Sequence, residues 1–372
     1  MSEELESSEK LGELNPETEF SEKLLAVYSN SELLKMKANQ EERGEEFSAL
    51  FTDIDNTFHR KDRQQESEAL FAKAKEGEYP VVAVTGNHFQ GVMKRIESGE
   101  LPKFPVIIGA VGTEIWVLQE NGEYAQDLNY QEMLIKEKHF DRPALAQNAA
   151  KMIKDFKTEF PQAELDYQGT IESPHRLAEI AYLQNPDDTS IDVQPFKISF
   201  HFFAESEAEL EKISKAANER FPEQQLVISE EINFNNQLPP EATRKKYCLD
   251  ILPITKAGAV EYVSKLTGVK KGMVAGDSGN DVDMLLKTEK LQAVLVGGAK
   301  TEALKAGNEA IEPKQANTSF RWIRDDQGRR KAVYFEKGGR LGPESIEHAA
   351  RILKKAEGIK KAREEEEKVS KT

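Results

Sequence analysis

LFTDIDNTFHR (50–60) and GMVAGDSGNDVDM (272–284) are each an apolar run that breaks into clustered acids. The first ends in Asp53 and Asp55, the second in Asp277 and Asp281. Buried strands end this way when their carboxyl ends carry chemistry, because an open α/β sheet binds its ligand in the crevice beyond them. Two pairs of acids at one crevice would repel and resist ionising unless a cation neutralised them. A donor set made of oxygen suits Mg²⁺, which prefers a few carboxylates, water and a phosphate. A carboxylate can also attack phosphorus and form an aspartyl-phosphate. The residues alone therefore point to Mg²⁺-assisted phosphoryl transfer.

Outward from these two stretches, strands and helices alternate. YPVVAVTGN (79–87) is a second apolar strand ending at Thr-Gly, and FPVIIGAVGTEIWVL (104–118) gives strands around a Gly-Thr turn. RQQESEALFAKAKEGE, HFQGVMKRIESGE, ITKAGAVEYVSKLTG and DVDMLLKT read as helices, KKYCLDILP and LQAVLVGG as strands. This order predicts an α/β fold with a Rossmann-like, parallel, doubly wound core. Residues 129–242 read differently. A long helix at RPALAQNAAKMIKDFKTEF, half-buried strands at RLAEIAYLQ and FKISFHFFA, and a further helix and strand predict an inserted αβ cap domain. The core is then 48–128 plus 243–352.

The flanks are polar. Residues 1–47 hold 13 acids and 5 bases, and 1–18 lack bulky apolar groups, so an acidic, partly disordered N-terminal arm is expected. Apolar groups within 19–38 allow one or two short helices docking on the body, with 40–46 as a linker, and 353–372 form a charged tail. The arm is a candidate surface for a protein partner. A net charge of −15 argues against nucleic acid or an anionic membrane as the main partner. No apolar run approaches the ~20 residues that span a bilayer. The N-terminus has no apolar signal region, and the single cysteine, Cys248 in an apolar strand, fits a reducing cytoplasm. The six histidines show no zinc-ligand spacing.

Four constellations carry chemistry, each with a plainer competing reading. In Asp53-Ile54-Asp55-Asn56-Thr57, alternate residues of an extended strand point the same way, so one acid can be nucleophile and the other general acid and base; a capped turn is the alternative. In Thr85-Gly86 a hydroxyl and an exposed N–H can hold phosphate oxygens, or simply form a turn. Lys256 sits near a predicted helix N-terminus, where the helix dipole disfavours a cation unless an anion is bound; a surface lysine is the alternative. In Gly276-Asp277-Ser278-Gly279-Asn280-Asp281 the acids suit metal ligation plus a backbone-fixing bond, or a helix cap at Asp281.

Taken in order, DxDxT, a strand-terminal Thr, a Lys and GDxxND resemble the haloacid dehalogenase-like hydrolase superfamily. The block after the second motif resembles its larger αβ (C2-type) cap. DIDNT, VGTEIW (111–116), FKISFHF, GDSGNDVDML and GGRLGPESIEHA (338–349) are similar to the sucrose-phosphate phosphatase group, over roughly 48–352. The resemblance implies a Mg²⁺-dependent phosphatase. It makes Asp53 the nucleophile and Asp55 the general acid/base. The Asp53 carboxylate, the Asp55 carbonyl and Asp277 would hold the metal, and Asp281 would position Lys256 or the metal's waters. Thr85, Gly86, Lys256 and Asn280 would hold the phosphoryl group, and Lys197 of the cap would grip sugar hydroxyls. One departure stands out: relatives carry Arg-Ser after Thr-Gly, where this chain has Asn87-His88. His88 is expected to cap the next helix. The expected substrate is a sugar phosphate, such as sucrose 6-phosphate or a glycosyl phosphoglycerate. A sugar-phosphate-binding regulatory module and a sugar phosphomutase are the competing functions. The intact acids favour catalysis, since a module that only binds has no need of both Asp53 and Asp55.

Overall fold

Val81–Val84 is buried at every position, as a strand covered on both faces must be. The computed structural model describes residues 26–76, 79–159, 196–230, 245–288, 290–299, 303–304, 320–324, 330–336 and 339–355. Among these, a nine-stranded sheet has the order β11-β12-β10-β9-β1-β2-β3-β4-β5. Its members are β1 (Ser48–Thr52), β2 (Val81–Val84), β3 (Val106–Gly109), β4 (Glu114–Leu118), β5 (Tyr124–Gln126), β9 (Lys271–Gly276), β10 (Leu291–Leu295), β11 (Phe320–Arg324) and β12 (Arg330–Phe335). The six central strands from β12 to β3 are parallel, β4 and β11 run against them, and β5 pairs antiparallel with β4. The chain first winds outward from β1 through β2 to β3. It returns at β9 on the other side of β1, so the switch in strand order lies between β1 and β9.

Side chains alternate between two cores. Leu50, Val81, Ala83, Ile107, Met273 and Ala275 pack on one face with helices α2 (Gln64–Lys75), α3 (Phe89–Glu97) and α9 (343–355). Phe51, Val82, Val84, Ile108 and Val274 pack on the other with α1 (Glu32–Glu42), α4 (Leu128–Lys136), α7 (Lys256–Thr267) and α8 (Val282–Lys287). Each fully buried Val, Leu or Ile in such layers is worth roughly 1.5–3 kcal/mol, so the sheet is the rigid base from which the loops project.

A second sheet, β6-β8-β7, is antiparallel: β6 (Ile198–Ala204), β7 (Gln225–Glu230) and β8 (Lys245–Leu252). Ile198, Phe202, Leu249 and Ile251 form its apolar face, packed with Ile213 and Ala217 of α6 (Glu207–Arg220) and Met152 of α5 (Arg142–Glu159). This corrects one expectation. KKYCLDILP belongs to the inserted sheet and not to the core, because β8 pairs with β6 and β7 along its length. Its apolar run looks the same in either sheet, so only pairing decides. At the other border α4 packs on β4, so the chain stays with the core to about 136.

The N-terminal residues that the structure describes are part of the body. Tyr28 and Leu33 are fully buried, and α1 runs on to Glu42, through the first three residues of the expected linker. The Gln40 side chain accepts from Ser48 N at 2.9 Å and donates to Ser48 O at 3.1 Å, clamping α1 to the start of β1. The polar segment 1–18, the tail from 356 and the expected strand at 176–184 lie outside the described residues. The β11–β12 hairpin was not expected.

Candidate active site

Adjacent parallel strands bring the two quoted stretches together. Thr52 is in register with Ala275, and Asp53 N donates to Ala275 O at 2.9 Å. Asp53 and Asp277 therefore leave the sheet side by side at the switch in strand order, where α/β sheets bind ligands. Carboxylate oxygens of Asp53, Asp277 and Asp281 lie within 4.8 Å of one another, and all three residues are buried.

Lys256 is the first residue of α7 and its side chain is completely buried. Its Nζ donates to Asp53 Oδ1 (2.7 Å), Asp281 Oδ1 (2.6 Å) and Asn280 Oδ1 (3.2 Å). Burial alone would lower its pKa, but Asp281 and Asp53 outweigh that and hold it above the usual lysine value. Burial pushes the Asp53 carboxyl well above the carboxylate range; Lys256 opposes the shift and Asp281 and Asp277 add to it. Three buried carboxylates against one ammonium leave a deficit of two positive charges, with only oxygen donors around it. That charge and that donor set fit one divalent hard cation.

The acids do not share one role. Asp281 Oδ2 accepts from Asp277 N (3.1 Å), Ser278 N (3.0 Å) and Ser278 Oγ (2.9 Å), while its Oδ1 meets Lys256. Both oxygens accept hydrogen bonds, so Asp281 fixes the 277–281 turn and Lys256. The capping box with Ser278 is what aims its second oxygen at Lys256. Asp277 Oδ1 accepts from Thr57 Oγ1 at 3.0 Å. The Asp55 carboxylate does not join the cluster of acids. Its Oδ1 lies 2.9 Å from Arg95 Nη1, and its Oδ2 accepts from Asn87 Nδ2 at 3.0 Å.

Thr85, just past β2, is buried, and its Oγ1 accepts from Asn87 N at 3.1 Å. Asn280 Oδ1 accepts from Lys256 and from Ser278 Oγ, which turns its amide nitrogen towards Gly86. A methyl on Gly86 would sit 3.4 Å from that nitrogen, so Gly86 leaves the approach open. His88 caps α3, its Nδ1 accepting from Gly91 N at 3.0 Å. Behind this turn, Ala110, Val111 and Gly112 all have positive φ. The strain is held by bonds to the site itself: Val111 N donates to Thr85 O and Ala110 N to Asn87 O.

The family model of the haloacid dehalogenase-like hydrolases matches residues 50–318. The chain belongs to this family. No curated protein sequence matches it. Among solved structures, a sucrose-phosphatase from a Synechocystis species, crystallised with sucrose and phosphate, is 18% identical with a TM-score of 0.53. That match covers 83% of this chain and 98% of the other, a likeness of fold. A haloacid dehalogenase-like hydrolase from Bacteroides thetaiotaomicron is 16% identical with a TM-score of 0.41, covering 70% and 92%. As a haloacid dehalogenase-like hydrolase, this chain carries an inserted αβ sheet, and its β7 packs against the 279–281 turn.

On the inserted sheet, Lys197 is neither solvated nor unpartnered. Its Nζ lies 3.2 Å from Asp250 Oδ1, and the two side chains are 14% and 5% exposed. Ser199 Oγ donates to the same Asp250 oxygen at 2.5 Å. Sequence reading passed over Asp250, Arg95 and the part played by Thr57. Thr57 stood inside a quoted motif. Asp250 and Arg95 gave no signal, because an acid in a strand and a base on a helix are ordinary until their partners are known.

Proposed function

We propose that this hydrolase is a Mg²⁺-dependent phosphatase that releases phosphate from a sugar phosphate through an aspartyl-phosphate on Asp53. The observation that carries the reading is Lys256 Nζ bridging Asp53 and Asp281 beside Asp277, a buried site short of two positive charges. Asp53 and Asp277, with the Asp55 main-chain carbonyl, would hold Mg²⁺, whose charge would offset that of the phosphoryl oxygens. Lys256 orients the Asp53 carboxylate and offers charge to the phosphoryl oxygens, which Thr85 Oγ1, the Gly86 N–H and the Asn280 amide also face. Asp53 attacks phosphorus, and the leaving sugar oxygen takes a proton from the Asp55 carboxyl. Asp55, now a carboxylate, takes a proton from the water that attacks the phospho-aspartate. Lys197, Ser199 and Asp250 supply an ammonium, a hydroxyl and a carboxylate to sugar hydroxyls. The likeness of fold to a sucrose-phosphatase puts sugar phosphates first among the substrates to try. Phosphate release over several dozen sugar phosphates with Mg²⁺, comparing the native chain with Asp53→Asn, tests the reading. Activity on a sugar phosphate, abolished by chelator and by Asp53→Asn, is expected; wild-type turnover in Asp53→Asn would refute it.

A further inference from the structure

We infer that Arg95 is a positioning residue for Asp55, holding the general acid/base in the orientation from which it serves the leaving oxygen; this rests on the phosphatase reading above. Asp55 is the exposed member of the site's acids, its side chain half open to solvent. A carboxylate so placed on a loop rotates freely unless something grips it. Two donors grip this one, Arg95 Nη1 on Oδ1 and Asn87 Nδ2 on Oδ2.

Arg95 is itself anchored. Its Nε donates to Glu100 Oε1 at 3.0 Å, and Nη2 lies 2.9 Å from the same oxygen. Glu100 is fixed in turn, because Glu100 N and Leu101 N both donate to Arg95 O. Glu100 Oε1 also lies 3.3 Å from His59 Nε2, a proximity without a hydrogen bond, and His59 is only 5% exposed. His59 is bonded to the loop through the main chain: His59 N donates to Ile54 O and Asn56 N to His59 O, on either side of Asp55. The pairs Asp55–Arg95 and Arg95–Glu100 thus tie the 53–59 loop to the end of α3. An exposed ion pair contributes little to stability. A planar guanidinium with two nitrogens already committed can nonetheless fix the direction of the third with small loss of freedom. Its role is therefore in orientation more than in holding the fold.

In the reaction, Asp53 forms a bond to phosphorus, the phosphorus–oxygen bond to the sugar breaks, and its electron pair stays on the sugar oxygen. That oxygen takes the Asp55 proton. An alkoxide needs the proton to leave, whereas para-nitrophenolate departs without one. The ratio of the two substrates' kcat/KM values reports this step alone, since kcat/KM does not include hydrolysis of the phospho-enzyme. The test compares native protein, Arg95→Ala, Arg95→Lys and Glu100→Gln on β-glycerophosphate and para-nitrophenyl phosphate, with Asp53→Asn as control. Arg95→Ala is expected to lower kcat/KM for β-glycerophosphate by ~10- to 100-fold, a part of the effect of a general acid, and to change that for para-nitrophenyl phosphate less than about threefold. Arg95→Lys should recover part of the loss and Glu100→Gln should show a smaller loss in the same direction, both with unchanged melting temperature. Equal losses on both esters, or none on either, with Asp53→Asn inactive, would overturn the role of Arg95 and leave the phosphatase reading intact. A wild-type ratio in folded Arg95→Lys and Glu100→Gln would overturn it as well. Release from neither ester, and from no sugar phosphate, by the native protein would overturn both readings.

Discussion

Lys256 shows how one residue can decide a site. Its ammonium is completely buried and counters two carboxylates at 2.6 and 2.7 Å. Breaking a buried pair by removing one partner costs about 3–5 kcal/mol, because the remaining charge stays buried. Lys256→Met, studied in chelator so that no cation compensates, should therefore be less stable by about that amount in urea unfolding. Asp281→Asn added to it should recover part of the stability, because an amide oxygen can still accept from Ser278 and Asp277 N–H groups. Turnover should stay lost in the double variant, since Asp53 is still unguided. Native stability in Lys256→Met would mean that the ammonium is not the counter-charge of the site.

At the level of elements, the site depends on where α7 begins. Gly112, in the strained turn after β3, lies against that start: a methyl there would be 2.7 Å from Thr255 O and 3.0 Å from Lys256 N. Its φ of +99° already disfavours any side chain, at a cost of roughly 1–2 kcal/mol. Gly99 provides the comparison, with φ of +77° and no atom within 4 Å of an added methyl. Gly99→Ala should lose in thermal unfolding only the stability that the backbone strain costs, and keep its turnover. Gly112→Ala should lose more stability and also lower kcat, because Thr255 and Lys256 must move aside. Equal behaviour of the two alanine variants in both measurements would show that the turn does not set the position of Lys256.

For the whole molecule, phosphate chemistry belongs to the core, and discrimination between sugars must come from groups outside it. The inserted sheet has one apolar face turned to α5 and α6 and one polar face that carries Lys197, Ser199 and Asp250. Lys197→Ala should raise KM for the true sugar phosphate by a factor equivalent to about 1.5–3 kcal/mol, the worth of a hydrogen bond to a charged group. It should leave para-nitrophenyl phosphate nearly unchanged, since that ester has no sugar to hold. Asp250→Asn should act in the same direction, having lost the charge that orients the lysine. A parallel loss on both esters would assign Lys197 and Asp250 to folding or to the phosphate.

The α/β alternation, the acids at the strand ends, the strand-end Thr85 and the helix-start Lys256 were legible in the sequence, because buried strands and capped helices leave periodic, local signatures. The cap on α3 by His88 was legible for the same reason. What each acid does was not local. Asp281 and Asp277 stand four apart in one motif and both lie beside Asp53, yet one is bonded to its own turn and to Lys256, while the other accepts from Thr57. The sheet to which Lys245–Leu252 belongs followed from pairing, not from its apolar pattern. The partners of Asp55 and Lys197 lie 40 and 53 residues away in sequence, at Arg95 and Asp250, and side chains so far apart along the chain find each other only when the tertiary fold closes the distance.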